Sequence, residues 1–169
     1  MEWTILKSTG VTRKIDDLGR IVIPKEIRKN LGIRDGESLE IFTEEDSIIL
    51  KKHSEIKKYE ELSARLCELI ESIFKVNIII TDRQKVIATS LDKSLINQDI
   101  DKDLIYLIDN REEYNGIKEI FNYKNYVTIV PIIASIDSLG LIILLNNDDK
   151  DLRNIAKLMA KILSDKLNI

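Results

Sequence analysis

The sequence predicts an α+β protein built as two units, and three observations carry that expectation. Short β-branched runs punctuated by Gly, Pro and Asp occupy residues 11–52. Apolar residues recur at spacings of three and four along Ser54–Phe74 and Asp149–Leu167, the signature of helices with one apolar stripe. The pattern changes at His53, from short strands to a long helix with an apolar stripe, which sets the domains at 1–53 and 54–169. Strands and helices that do not alternate strictly point to an antiparallel sheet with helices on its faces.

In the first unit, Val11–Asp16 is a plausible strand and Asp17-Leu18-Gly19 a turn, since Gly tolerates positive φ and Asp bonds its own backbone. Arg20–Ile23 is β-branched and strand-like. Pro24 cannot donate to a ladder, so the strand ends there, and Pro suits the first helical position, where the N–H is an orphan. Ile27 and Leu31 then share one face of a short helix, with Lys25, Arg28 and Lys29 directed elsewhere. Gly32 is the expected stop. Ser38–Thr43 and Ser47–Lys51 read as two further strands around the turn Glu44-Glu45-Asp46. The order is β-β-α-β-β in about 50 residues, a unit so small that an obligate dimer would help it stand.

The second unit opens with the Ser54–Phe74 helix, whose stripe is Tyr59, Leu62, Leu66, Leu69 and Ile73. Val76–Thr81 and Lys85–Ser90 are strands around an Asp82-Arg83-Gln84 turn. Leu91–Asp99 reads as loop, Asp101–Asn110 as a short helix, and Glu113–Asn125 as irregular. Val127–Ala134 and Leu139–Asn146 are strands, and Asp149–Leu167 closes the chain with a stripe of Leu152, Ile155, Met159 and Ile162. The order is α-β-β-α-β-β-α. The helical stripes can face the unit's own sheet or join copies of the chain in a bundle, and periodicity alone leaves both open.

Composition narrows the functions. The 169 residues carry a net charge of -3, which gives the whole molecule no bias toward polyanions. The distribution does. Lys7–Arg34 holds eight basic residues against three acids, whereas Asp35–His53 holds six acids against two lysines. A local basic surface steers a polyanion where net charge cannot. One cysteine, Cys67, excludes an internal disulfide, and with one histidine, His53, there are too few ligands for a thiolate/imidazole zinc cluster. No Ser/His/Asp set or phosphate-cradling Gly loop supports an enzyme, and no cofactor is expected. The longest apolar run, Leu139–Leu145, is too short to span a bilayer, so no membrane partner is expected.

The stretch KSTGVTRKIDDLGRIVIPKEIRKNLGI, followed by SLEIF and IILKK, runs from Lys7 to Lys52. It resembles the DNA-binding domain of AbrB-like transition-state regulators. The resemblance implies an N-terminal swapped-hairpin β-barrel, in which two β-β-α-β-β chains interleave as an intertwined dimer and basic residues grip double-stranded DNA. It also implies a cytoplasmic, nucleoid-associated transcription regulator. Antitoxins of the MazE type share that fold, which keeps an autoregulatory antitoxin-like module as the alternative. VNIIITDRQKVIATS, Val76–Ser90, resembles the first hairpin of GAF domains. That implies a GAF-like antiparallel sheet flanked by helices, serving oligomerisation to a tetramer and the sensing of an unknown small-molecule ligand. Leu6 stands where the AbrB-like initiator methionine would fall, so either Met1–Ile5 is a real extension or the true start is an alternative leucine-type codon at position 6.

The resemblance assigns DNA contact to Arg13, Lys14, Arg20, Arg28 and Lys29, with Lys7, Lys25 and Arg34 as further candidates in the same basic stretch. Arginine forks pair bidentately with phosphate or guanine edges, and lysines add point charge. The plainer alternative is a solvated charged face partly paired with Asp16, Asp17 and Glu26. Asp16 and Asp17 fit turn formation and the orienting of nearby arginines better than acid/base chemistry. Cys67 flanks an apolar stripe and reads as buried and inert. Tyr106, Tyr114, Phe121 and Tyr123 are core or loop packing, or else line a ligand pocket.

Overall fold

The computed structural model describes residues 8–33, 35–36, 38–145 and 150–167. The chain divides into two units, Met1–His53 and Ser54–Ile169.

In the first unit the described elements are helix α1, Lys25–Asn30, and the hairpin of β1, Leu39–Glu44, with β2, Ser47–Lys52. The hairpin is antiparallel and pairs Leu39 with Lys52 through to Glu44 with Ser47. Helix α1 begins one residue later than expected. Pro24 keeps an extended ψ of 147° and its carbonyl accepts the Arg28 N–H at 3.0 Å, so it caps the helix rather than entering it. The stop lies where Gly32 predicts: Ile33 N–H reaches the Arg28 carbonyl and Gly32 N–H the Lys29 carbonyl, with Gly32 at φ +62°, a full Schellman close.

Val11–Asp16 and Arg20–Ile23, expected as strands, carry no ladder within the single chain. Only the turn between them is closed, by Gly19 N–H to the Asp16 carbonyl at 2.9 Å and Asp16 N–H to the Arg20 carbonyl at 3.1 Å. The physical reason is burial. Val22 and Ile48 are each 71% exposed, Ile15, Leu18, Ile21 and Ile41 are also open, and no described residue of this unit is buried. A hairpin with no apolar face to pack against does not hold its register.

The second unit packs around a five-stranded antiparallel sheet in the order β4-β3-β7-β6-β5. A 3₁₀ turn at Ile56–Tyr59 leads into α2, Glu60–Phe74. Then follow β3, Asn77–Asp82, β4, Val86–Thr89, α3, Lys102–Asn110, β5, Tyr114–Ile120, β6, Tyr123–Ala134, β7, Asp137–Leu145, and α4, Lys150–Leu167. Strand β5 corrects the expectation that Glu113–Asn125 is irregular. It is an edge strand whose residues alternate between half-buried and exposed, and an edge needs only one apolar face, so Gly116, Asn115 and Lys118 do not break it.

The sheet separates two cores. Residues Ile78, Ile80, Ile132, Ile142 and Leu144 pack on one side against Cys67 and Ile70 of α2 and Leu152, Ala156, Met159 and Leu163 of α4. On the other side Ile79, Val86, Ile129, Leu141 and Ile143 meet Leu104, Leu107 and Ile108 of α3. Each fully buried aliphatic side chain contributes about 1.5–3 kcal/mol, so this unit has the core that the first lacks. Only part of the stripe expected on α2 meets the sheet, Leu62 and Leu66 packing against that core. Ser63, Cys67 and Ile70 point inward, Leu62 and Leu66 are half-buried, and Leu69 and Ile73 are 53% and 65% exposed. On α4, Leu152 and Met159 are buried while Leu158 and Ile162 remain exposed.

Candidate nucleic-acid interface

The basic residues of the first unit sit on three successive pieces of backbone. Arg13 and Lys14 lie on the extended segment before the turn, Arg20 leaves the turn, and Lys25, Arg28 and Lys29 lie on α1. The spacing of the last three, i, i+3 and i+4, brings them to one face of the helix. Arg13, Lys14, Arg20, Lys25 and Lys29 are exposed, and Arg28 is half-buried. Lys7 and Arg34 lie outside the described residues, as does the Met1–Ile5 segment.

The turn that presents Arg20 is built by Asp16. One carboxylate oxygen, Oδ1, accepts the backbone N–H of Leu18 at 3.0 Å and that of Arg20 at 2.8 Å. The other, Oδ2, accepts Nε–H of the Arg20 guanidinium at 2.8 Å. The Arg20 backbone N–H first, then its guanidinium and the Leu18 N–H, hold the Asp16 carboxyl below its ordinary pKa, outweighing what desolvation does to raise it. Asp16 is therefore ionised wherever the protein works. Gly19 completes the turn at φ +74°, a conformation that side chains with a Cβ rarely adopt.

Arg28 is held differently. Its Nη1 pairs with Oδ1 of Asp35, while its Nε is buried and has no hydrogen-bond partner. Asp35 is a participant that sequence reading missed. It lies seven residues on, past the Gly32 stop, where helical spacing rules no longer connect residues. Lys52 was missed for a similar reason. Its ammonium donates to the Gly32 carbonyl at 2.9 Å, tying the end of α1 to β2 across 20 residues of sequence. Arg13 donates from Nη1 to the Thr12 carbonyl beside it at 3.1 Å. Among the described residues, Arg13, Lys14, Lys25 and Lys29 form no ion pair.

Among the described residues of the second unit, the tyrosines and Phe121 singled out by sequence do not gather into a comparable set. Tyr106 is exposed, whereas Tyr114, Phe121 and Tyr123 pack against the α3-side core. A shallow depression lies elsewhere, lined by Lys57, Tyr59, Glu60 and Leu62. Cys67 is buried, and its thiol is pushed up to about 12 by burial and by the neighbouring Glu68. No group of three or more His, Cys, Asp or Glu among the described residues is placed to hold a metal ion, and no described helix is long and apolar enough to cross a membrane.

Comparison with known proteins covers both units. Residues 12–58 match the family described as antidote-toxin recognition MazE, bacterial antitoxin, and residues 55–168 match stage V sporulation protein T C-terminal, transcription factor. The chain is 36% identical over 157 residues to stage V sporulation protein T of Bacillus subtilis, covering 85% of this chain and 86% of that protein. The N-terminal DNA recognition domain of the Bacillus subtilis transition-state regulator AbrB is 54% identical, over 28% of this chain and 91% of that structure, with a TM-score of 0.25. The GAF domain of an Acinetobacter phosphoenolpyruvate-protein phosphotransferase is 10% identical, covers 64% of this chain and 81% of its own, and has a TM-score of 0.53. That last likeness speaks to the fold of the second unit alone.

Proposed function

This chain belongs to the stage V sporulation protein T family, and from that premise we propose that it is a DNA-binding transcriptional regulator of sporulation genes, acting in the forespore. The observation that carries this is the pairing in one chain of a first unit 54% identical to a DNA recognition domain with a second unit matched over 55–168 to a transcription-factor domain. The DNA contacts are assigned to Arg13, Lys14, Arg20, Arg28 and Lys29, supported at the margin by Lys7, Lys25 and Arg34. Exposure of Arg13, Lys14, Arg20 and Lys29, with Arg28 half-buried on the same short helix as Lys29, supports the assignment.

The working unit is a dimer through the first unit. Its support is the open apolar set Ile15, Leu18, Ile21, Val22, Ile41 and Ile48, which a single chain leaves without a core. Two dimers join through the outer faces of α2 and α4, where Leu69, Ile73, Leu158 and Ile162 stand exposed. The GAF-like unit serves that assembly, and a small molecule bound to it would bias the assembly. The protein acts in the cytoplasm, on the nucleoid. No catalytic role is assigned, in keeping with relatives that are transcription regulators.

Binding follows mainly from phosphate neutralisation. Affinity for duplex DNA should therefore fall roughly a thousandfold between 50 and 200 mM salt if about six phosphates are neutralised per dimer. Fluorescence anisotropy with a labelled duplex measures this, and an affinity indifferent to salt would sink the reading. Alanine at Arg13, Lys14 and Lys29 together should flatten the salt dependence. The match of residues 12–58 to MazE antitoxins favours a second reading, an autoregulatory antitoxin-like module. Stoichiometric recovery of a small toxin with the full chain would support it over the first.

A further inference from the structure

The assigned basic residues divide into two kinds by what their charge already does inside the chain. Arg13, Lys14 and Lys29 are exposed and form no ion pair among the described residues, so each brings a whole positive charge to a phosphate. Arg20 does not. Its guanidinium is paired with Asp16 at 2.8 Å, and the pair taken together is neutral. A neutral pair releases little counterion and adds little to non-specific binding.

Geometry leaves Arg20 another task. Asp16 takes the Nε side of the guanidinium, so the two terminal nitrogens, Nη1 and Nη2, stay available as a fork. That fork matches O6 and N7 of guanine in the major groove. The Asp16 carboxylate is itself fixed, because its other oxygen holds two backbone N–H groups of the same turn. An arginine buttressed in this way gives up less rotamer freedom on docking, and it resists straying to a nearby phosphate. Arg28 is a contrast. Asp35 engages its Nη1, on the fork itself, and its Nε is left unpartnered.

We propose that Asp16 and Arg20 form a base-reading unit on the hairpin turn, with Arg20 contacting a guanine edge and Asp16 acting as its positioning residue. Arg13, Lys14 and Lys29 supply the sequence-independent attraction. This rests on the DNA-binding reading above and assigns it a specificity determinant.

The test is a randomised duplex library selected on the full-length protein and sequenced, with salt titrations on an unselected duplex alongside. The proteins are wild type, Asp16→Asn and Arg20→Lys. Asn keeps the Oδ1 acceptor for the two backbone N–H groups while removing the charge, and Lys keeps the charge while removing the fork. Wild type should enrich a motif containing fixed G·C pairs. Both variants should lose roughly tenfold to a hundredfold of discrimination at those pairs. Asp16→Asn should at the same time bind the unselected duplex more tightly, with a salt slope steeper by about one, because a carboxylate has left the surface. A variant that had merely damaged the fold would lose both kinds of binding. If Asp16→Asn does not fold, Arg20→Lys alone decides. The same motif from wild type and from the folded variants, or no motif from a wild type that binds, overturns the proposal. A wild type that retains no duplex at all overturns the DNA-binding reading instead.

Discussion

Gly140 on β7 lies so close to β3 that a Cβ built on it would sit 1.9 Å from the backbone carbonyl oxygen of Thr81 and 2.7 Å from Cδ1 of Ile56. The obstructing atom is main chain in the middle of a sheet, so it cannot step aside. Gly140→Ala should destabilise the second unit by about 3 kcal/mol, at the upper end of what overpacking costs. Urea denaturation followed by far-UV circular dichroism measures it, and an unchanged midpoint would show that the strands are further apart than described.

Cys67 is 1% exposed, and burial raises its thiol to about 12. At pH 8 only about 10⁻⁴ of it would be thiolate, the reactive form. The native protein should therefore leave Ellman's reagent unreacted over an hour and release one equivalent of thiol once guanidinium is added. Prompt reaction of the native chain would mean that α2 lifts from the sheet.

The outer face of α2 offers a clean probe of assembly. Lysine at Leu69 and Ile73 together places two charges where the proposed dimer-dimer contact forms, without touching the inward residues Ser63, Cys67 and Ile70. Light scattering on the full chain should show a tetramer for wild type and a dimer for the double variant. A variant that stays tetrameric would move the contact elsewhere.

Glu113 joins the start of β5 to α4, through Arg153 at 2.9 Å and Lys157 at 3.0 Å. Desolvation pushes its carboxyl up, but the hydrogen bonds and charges of Arg153 and Lys157 outweigh that, and the net shift is downward from 4.5. A depressed carboxyl stabilises the fold above its unfolded value. That stabilisation disappears as pH falls from about 4.5 through the lower folded value. Glu113→Gln should flatten this part of the stability profile while leaving the profile above pH 6 parallel to that of wild type. Denaturation midpoints measured from pH 3 to 7 check it.

Local chemistry was legible in the sequence where one residue type decides the outcome. Pro24 marked the helix start to within one residue, Gly32 marked its end, and Asp17-Leu18-Gly19 marked the turn, although the carboxylate that bonds its backbone is that of Asp16 rather than Asp17. What the sequence could not show was which neighbour each apolar face meets. On α2 the run Leu62, Leu66, Leu69 and Ile73 is the stronger apolar stripe, yet the sheet fully covers Ser63, Cys67 and Ile70, takes Leu62 and Leu66 only in part, and leaves Leu69 and Ile73 exposed. Periodicity reports that a face is apolar and is silent on whether the sheet or another chain covers it. Strand β5 escaped notice because an edge strand with one wet face has little apolar signal to give. In the candidate site, the basic residues were visible through resemblance, while the Asp35 and Lys52 contacts depend on how the chain returns after Gly32.

Ile78, Ile79 and Ile80 are consecutive on β3, and alternate members serve opposite cores. Both sides of the strand are thus committed along this run, and none of the three isoleucines can drift to a polar residue over evolutionary time. Mutational tolerance in this half of the protein should instead collect on the wet side of β5 and the outer flank of α3. Divergence among descendants would rewrite the rim of the sheet long before its middle.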